Sequence, residues 1–146
     1  MDELDSRIIA LLQVDGRASN ARIARDVGVS EGTVRRRLRN LIKGEVIKVI
    51  AVPNLEQMGY GTAALIGVQT SPGMVDEVAD AISDLDEAHY VAITTGAWDI
   101  FTWVGLESTE KLGTFIRGKV GTISGVTRTE TFVNLAIKKR TYGLIL

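Results

Sequence analysis

The spacing of apolar residues changes at Gly44, and this change limits what the chain can fold into. Before Gly44, apolar residues recur at the three- and four-residue intervals of amphipathic helices. After it, short β-branched runs alternate with stretches of helical spacing, separated by glycine and proline. A chain of 146 residues is long enough for two small domains. The sequence therefore predicts a helical N-terminal domain followed by an α+β domain.

Three helices are predicted in the first part, from caps, stop residues and apolar spacing. The first is expected between Asp2 and Asp15-Gly16, the second between Asn20 and Gly28, and the third between Ser30 and Gly44. We predict limits of 1–48 for this domain, 49–61 for a hinge strand and linker, and 62–146 for the second domain. The hinge strand is expected within the β-branched run 46–52, which Pro53 ends.

The second part has the predicted element order β-α-β-β-α-β, a ferredoxin-like αβ-sandwich with two helices on one face of an antiparallel sheet. Strands are expected near 62–70, 89–95, 100–106 and 126–138, with helices beginning at Ser71-Pro72 and at Ser108. In strand 100–106 both faces are mostly apolar, because Phe101 and Trp103 alternate with aliphatic residues. Helices cover only one face, so we expect a homo-oligomer built on a two-fold dimer.

The net charge of −1 conceals an uneven distribution. Residues 17–43 hold eight Lys and Arg against two acids, whereas residues 51–146 hold seven bases against eleven acids. Within the basic segment, small Ala24, turn-forming Gly28 and aliphatic Val34 follow one another at spacings of four and six. Two closely crossing helices joined by a tight turn need these residue types. The pattern predicts a (winged) helix-turn-helix that binds double-stranded DNA, although a helical hairpin with arginines for solubility fits the same pattern.

The third helix would present a basic side to DNA, with its N-terminus near bases and phosphates. Glu31 is also explained as a helix N-terminal charge, and Arg37 as the partner of an acid on the first helix. Arg22 and Arg25 on the second helix suit DNA backbone contacts. The predicted DNA-binding residues are Arg22, Arg25, Ser30, Glu31, Thr33, Arg35, Arg36, Arg37 and Arg39.

Composition excludes several classes of function. Without Cys and with one His, the chain lacks the ligands of common zinc and copper sites, so we expect neither a metal nor a cofactor. His89 is read as a structural or surface residue. No apolar run approaches a membrane span and the N-terminus is acidic, so a soluble cytoplasmic protein is expected. We find no nucleophile with a base and no phosphate loop, which argues against an enzyme.

Several stretches of the chain are typical of one known family. They are Leu4-Asp5-Ser6-Arg7-Ile8-Ile9-Ala10-Leu11-Leu12-Gln13, Asp15-Gly16-Arg17, Ile23-Ala24, Val27-Gly28-Val29-Ser30, Val34-Arg35-Arg36-Arg37-Leu38, Leu41, Gly44-Glu45-Val46-Ile47, Thr95-Gly96-x-x-Asp99 and Gly125-Val126 with Thr129-x-Thr131. In these stretches, and over essentially its whole length, the chain resembles the Lrp/AsnC family of feast/famine transcriptional regulators. The resemblance implies dimers, often assembled into octamers, that bind DNA and respond to a small molecule, usually an amino acid. An architectural protein that wraps DNA with little sequence preference is the alternative.

The predicted effector site centres on the turn before strand 100–106. The Asp99 carboxylate suits a ligand ammonium group, and turn N–H groups suit a carboxylate. Glycine and aspartate are also ordinary turn residues, so a simple hairpin explains them too. Where the family often has a polar or acidic residue and a Tyr, this chain has Ala97 and Trp98. The predicted effector residues are Thr95, Gly96, Ala97, Trp98, Asp99, Thr129 and Thr131, with Ile93, Thr109, Phe132 and Asn134 as further candidates.

Overall fold

A computed structural model describes residues 1–139. Its helices are α1 Glu3–Val14, α2 Asn20–Val27, α3 Glu31–Lys43, α4 Val75–Ser83 and α5 Thr109–Gly118, with a 3₁₀ turn at Val120–Thr122. Its strands are β1 Thr62–Thr70, β2 Ala88–Ile93, β3 Ile100–Leu106 and β4 Val126–Val133. Residues 1–52 and residues 53–138 belong to two different compact units, so one division lies between Val52 and Pro53. This division falls inside the predicted linker 49–61, and the domain limits themselves stay a prediction.

In the helical unit, α1–α3 enclose their own small core. Ile8 of α1, Ile23 of α2 and Val34 of α3 have no exposed surface. Helix α1 begins with a capping box, in which the Asp2 side chain accepts from the backbone N–H of Asp5 and the Asp5 side chain accepts from that of Asp2. The three predicted helices are confirmed.

Two local predictions in this unit are wrong. Ser19, not Asn20, is the N-cap of α2, since its hydroxyl accepts from the backbone N–H of Arg22 at 3.2 Å. Both residues are good caps, so composition alone did not separate them. No described residue of this unit forms a strand, so the wing that the prediction allowed is not formed here.

The predicted hinge strand in 46–52 is also not formed among the described residues. Val46, Val49, Ile50 and Val52 are instead exposed. A strand needs backbone partners on at least one side, and the described part of the chain provides none next to this segment. The β-branched composition was read correctly, but composition does not supply a pairing strand.

The second unit is a four-stranded sheet in the order β2-β3-β1-β4 with every neighbouring pair antiparallel. This confirms the predicted α+β class and the ferredoxin-like β-α-β-β-α-β order. Side chains at Ile66 and Val68 of β1 and Ile100 and Val104 of β3 are completely buried, in one core with residues of α4 and α5. The predicted starts and ends of two elements differ from the structure.

Helix α4 begins at Val75 rather than at Ser71-Pro72. Gly73 has φ of +82°, and Met74 donates its N–H to the Ser71 carbonyl at 3.1 Å, so these residues form a turn that precedes the helix. Strand β4 ends at Val133 rather than Lys138. Its neighbour β1 begins near Ala63, which accepts from the N–H of Asn134, so β4 has no partner beyond this point.

The two faces of the sheet differ as the alternation in β3 predicts. The Ile100, Thr102 and Val104 face is buried, whereas Phe101 and Trp103 lie half-buried on the other face. We call this second side the open face; its residues include Leu65, Gly67, Tyr90, Ala92, Phe101, Trp103 and Phe132 and the charged Arg128 and Glu130. Among the described residues of this unit, the helices contribute to the core on the opposite face of the sheet, and none covers the open face.

Candidate nucleic-acid interface and effector turn

The turn between α2 and α3 is built from the residues that the sequence singled out. Ala24 is buried, and its carbonyl accepts hydrogen bonds from the N–H groups of Gly28 and Val29 at 2.9 and 3.0 Å. Gly28 has φ of +77°, a conformation that residues with a Cβ rarely adopt. Val34 anchors α3 in the core with no exposed surface. The geometry is that of a helix-turn-helix with α3 as its second helix.

The solvent side of this helix pair carries three arginines. Arg36 and Arg39 on α3 and Arg25 on α2 are exposed. None of them forms an ion pair within the described residues. Their positive charge is therefore available to an anionic partner.

Two of the other predicted DNA-binding arginines are paired with nearby acids. Arg22 lies 3.0 Å from Asp15 and 3.9 Å from Asp26, and Arg35 lies 2.7 Å from Glu31 one turn before it. All of these side chains are well exposed, so each pair stabilises the fold by well under about 1 kcal/mol. Their charge is partly compensated but remains accessible to solvent.

Arg37 points to α1 rather than to solvent. Its guanidinium contacts the Asp2 carboxylate at 2.7 Å and the Asp5 carboxylate at 3.3 Å. The pKa of Asp2 lies below its ordinary value, mainly because its carboxylate accepts the backbone N–H of Asp5, with further lowering by Arg37. The structure supports the alternative given above for Arg37, a brace between α3 and α1, over direct DNA contact.

At the start of α3, the predicted DNA-reading residues also serve the helix itself. The Ser30 hydroxyl accepts from the Thr33 N–H at 3.2 Å and lies 2.9 Å from the Thr33 hydroxyl. Glu31 adds negative charge in the first turn, where it stabilises the helix. Ser30 and Glu31 remain exposed, so capping leaves both accessible at the surface.

In the second unit, the turn from Thr94 to Asp99 is held by side-chain hydrogen bonds. Asp99 Oδ2 accepts from the backbone N–H of Thr70 at 2.8 Å and from its hydroxyl at 3.3 Å. The Thr94 hydroxyl donates to the Trp98 carbonyl at 2.9 Å, and the Gln69 amide donates to the Ala97 carbonyl at 2.8 Å. The Asp99 carboxylate, predicted to bind a ligand ammonium, thus has one oxygen engaged in fixing the turn to β1.

Trp98 lies against Gly67, on the open face. A Cβ on Gly67 would stand 2.7 Å from Trp98 Cδ2, so the indole would have to move to make room for it. The Arg128 guanidinium lies over the indole, 5.1 Å from its ring centroid, in a cation–π contact. The sequence reasoning overlooked Gly67 and Arg128. A glycine within a β-branched strand is the signal for such a close approach, and it was available at Gly67.

Thr129 and Thr131 are not part of this arrangement. They pair across the strands with Val68 and Ile66, whose side chains are buried on the helix-covered face. Residues directly opposite in an antiparallel pair point to the same side of the sheet, so both threonines face away from Trp98. Thr95, Gly96 and Ala97 are exposed in the turn, as predicted.

The further candidates are scattered over the unit. Ile93 pairs with Ile100, Phe132 lies on the open face, Thr109 begins α5 and Asn134 follows β4. The structure does not bring these four residues to one place.

A cavity of about 450 Å³ opens at the other end of β3, away from the turn. Tyr60, Glu87, His89 and Leu106 are among the residues that line it. Glu87 is bound by Lys119 at 2.6 Å, and this hydrogen bond lowers the pKa of Glu87. Among residues 1–139, no group of three or more His, Asp or Glu side chains is arranged to hold a metal ion.

Both units match known families. Residues 1–42 match the AsnC-type helix-turn-helix domain, and residues 63–144 match the Lrp/AsnC ligand binding domain. An HTH-type transcriptional regulator of Pyrococcus furiosus is 41% identical, with 99% of each chain covered. The HTH-type transcriptional regulator FL11 of Pyrococcus abyssi is 34% identical over 99% of this chain and 95% of its own.

Solved structures agree with these two domain matches. AsnC of E. coli superposes with a TM-score of 0.91 at 26% identity, with 97% of each chain covered. A transcriptional regulator of Neisseria meningitidis in complex with L-Met has a TM-score of 0.92 at 22% identity, over 99% of this chain and 96% of its own. At that identity the second likeness establishes the fold.

The two units together define a DNA-binding regulator with a separate ligand-binding domain. The chain belongs to the Lrp/AsnC family of transcriptional regulators. Members of this family are regulators and not enzymes. No helix within residues 1–139 is long and apolar enough to span a membrane.

Proposed function

We propose that this chain is a sequence-specific DNA-binding regulator whose DNA affinity or assembly responds to a small molecule of the amino acid class. The observation that carries the DNA-binding part is that Arg36 and Arg39, on the second helix of a helix-turn-helix, are exposed and have no acid partner within residues 1–139. That helix turns its aliphatic side, Val34 and Leu41, into the core. Its opposite side is thereby free for the major groove.

Footprinting tests this proposal on genomic DNA selected by the protein. A phased, palindromic protected site is the expected result, since a two-fold dimer imposes its symmetry on the site. Uniform protection without a preferred site would instead support the architectural alternative. Cytoplasmic location is part of the same proposal, because the DNA it binds is there.

The Arg36→Ala variant tests the orientation of α3. Loss of one base or phosphate contact is expected to weaken DNA binding by about 1–3 kcal/mol, or to reduce the log–log salt slope by about 0.9. Arg117→Ala is the matched control, since Arg117 is an exposed arginine on α5 of the other unit. Equal binding by the Arg36 and Arg117 variants would contradict the proposed orientation.

The effector response is supported by the ligand-binding domain match and by the amino acid bound in the Neisseria relative. A thermal-shift screen of the twenty amino acids is the direct test, because a ligand that binds the folded state raises its melting temperature. We expect one of them, or a small group, to stabilise the protein and to change its DNA affinity. A flat screen together with unchanged DNA binding would contradict an amino acid effector.

We also propose a homodimer as the base unit, with octamers as a further assembly. The open face supports this, because Phe101, Trp103, Leu65 and Phe132 leave a large apolar surface without a cover in the described unit. Analytical ultracentrifugation at micromolar concentration is expected to show dimers or larger species. Trp103→Asp should shift the distribution towards monomer while far-UV circular dichroism stays unchanged, and a monomeric parent protein would contradict the proposal.

A further inference from the structure

We propose that Arg128, stacked on Trp98, is the carboxylate-binding residue of the effector site. This inference rests on the effector response proposed above and names the part of the ligand that the site recognises. It assigns Trp98 the role of a platform for a charged group.

The position of Trp98 is fixed from several sides. Its indole lies on the backbone of Gly67, at a distance that leaves no room for a side chain there. Its carbonyl accepts the Thr94 hydroxyl, and the neighbouring Ala97 carbonyl accepts the Gln69 amide. Asp99 then secures the end of the turn to Thr70. A ring held in this way is a firm support for whatever packs on its outer side.

Arg128 occupies that outer side and keeps its charge available. It pairs across the strands with Gln69, which puts it on the same face of the sheet as Gly67. It is exposed, and it forms no ion pair within residues 1–139. A guanidinium stacked on an indole has its N–H donors directed outwards in the ring plane, a geometry that suits the two oxygens of a carboxylate.

The turn supplies a second group of donors. The backbone N–H groups of Gly96, Ala97 and Trp98 donate to no residue that the structure describes, and Gly96 has φ of +108°. Unused N–H groups in a glycine turn favour an anion. The second oxygen of Asp99 can accept a hydrogen bond from an ammonium group, so a ligand with both a carboxylate and an ammonium group fits better than an amine alone.

Trp98 fluorescence provides the readout. In a Trp103→Phe background Trp98 is the only tryptophan, because the chain has two. Removing the guanidinium with Arg128→Met is expected to increase quenching of Trp98 by acrylamide, since the outer face of the ring becomes uncovered. Unchanged quenching would overturn the stack on which the proposal depends.

Ligand binding is then measured by thermal shift and by Trp98 emission, with each of the twenty L-amino acids and its C-terminal amide as probes. We expect the amino acid that stabilises the parent protein to lose at least about tenfold in affinity as the amide, and by a similar factor in Arg128→Gln. Arg128→Lys should recover part of the affinity, because it restores the charge. Arg117→Gln is the control and should bind like the parent.

The outcomes separate this inference from the proposed function. If an amino acid binds the parent, its amide and Arg128→Gln equally well, the effector response stands and the role of Arg128 is overturned. If no amino acid binds the parent protein, both the proposed amino acid response and the role of Arg128 are overturned. An unchanged melting temperature and DNA affinity of unliganded Arg128→Gln would show that the variant is folded.

Discussion

The two units use their polar side chains in different ways. On α3 and its neighbour α2, the arginines divide into a paired group and an unpaired group, and Arg36 and Arg39 stay exposed without an acid partner among the described residues. In the turn of the second unit, Asp99 and Thr94 are instead engaged in bonds that hold the turn. A helix surface can thus be read for contact residues from periodicity, whereas a turn cannot, because its polar residues also build it.

Gly67 provides the strongest test of the claim that the turn of the second unit is held in a fixed position against β1. Gly67→Ala places a Cβ 2.7 Å from Trp98 Cδ2 and 3.2 Å from Phe101 Cε1, so one ring must move. We expect a loss of about 1–3 kcal/mol in the free energy of unfolding, as for other overpacked sites. Urea denaturation measures this loss.

Gly61→Ala is the control for Gly67, because nothing lies within 4 Å of a Cβ added there. It should change stability little. If both alanine variants unfold at the same urea concentration, the turn is not held against β1 as described, and the contrast between the two units disappears.

In the helical unit the corresponding test concerns Arg37. Its guanidinium is 29% exposed and the Asp5 carboxylate 9%, so this pair is better shielded than the pairs of Arg22 and Arg35. Arg37→Met is expected to lower the unfolding free energy at pH 7 by about 1–2 kcal/mol, between the values for exposed and buried pairs. Arg37→Lys should lose less, and thermal or urea unfolding ranks the two variants.

The contact of Arg37 with Asp2, at 2.7 Å, has a predictable pH dependence. The folded protein holds the pKa of Asp2 below 3.8, so the ionised carboxylate contributes stability above that pH and loses it as the pH falls through the lowered value. The stability difference between the parent and Arg37→Met should therefore shrink below about pH 4. A difference that stays constant down to pH 2 would show that Arg37 acts by packing alone.

The contrast between a helix surface and a turn also explains how much of each unit the sequence predicted. Helical spacing located α1, α2 and α3 and predicted a basic side of α3, and the structure has Arg36 exposed on that helix. Whether Arg37 would meet Asp2 and Asp5 depended on the helix crossing, which the pattern does not contain. Thr129 and Thr131 were predicted to join the effector site with the turn because strand register across β1 is not visible in a single strand.

A smaller effect is expected within the sheet core. The Thr102 hydroxyl is completely buried and has no hydrogen-bond partner among the described residues. Replacing it with Val removes the unsatisfied group at nearly constant volume, and we expect a gain of about 1 kcal/mol in unfolding free energy. Thr70→Val is the contrasting variant, since it removes the hydroxyl bond to Asp99 and should destabilise. A loss in both variants would indicate that the Thr102 hydroxyl is satisfied after all.

The smallest effect is expected at the end of α3. Glu45 has φ of +55°, a conformation that costs residues with a Cβ about 1–2 kcal/mol, whereas Gly28 at the end of α2 meets a similar requirement with φ of +77°. Glu45→Gly should relieve that cost but add flexibility to the unfolded chain, leaving a net gain of about 0.5 kcal/mol. Gly28→Ala is the reverse change and should lose about 1 kcal/mol. If Glu45→Gly instead destabilises, the Glu45 side chain makes a stabilising contribution that outweighs its backbone conformation, and the two helix ends are not equivalent.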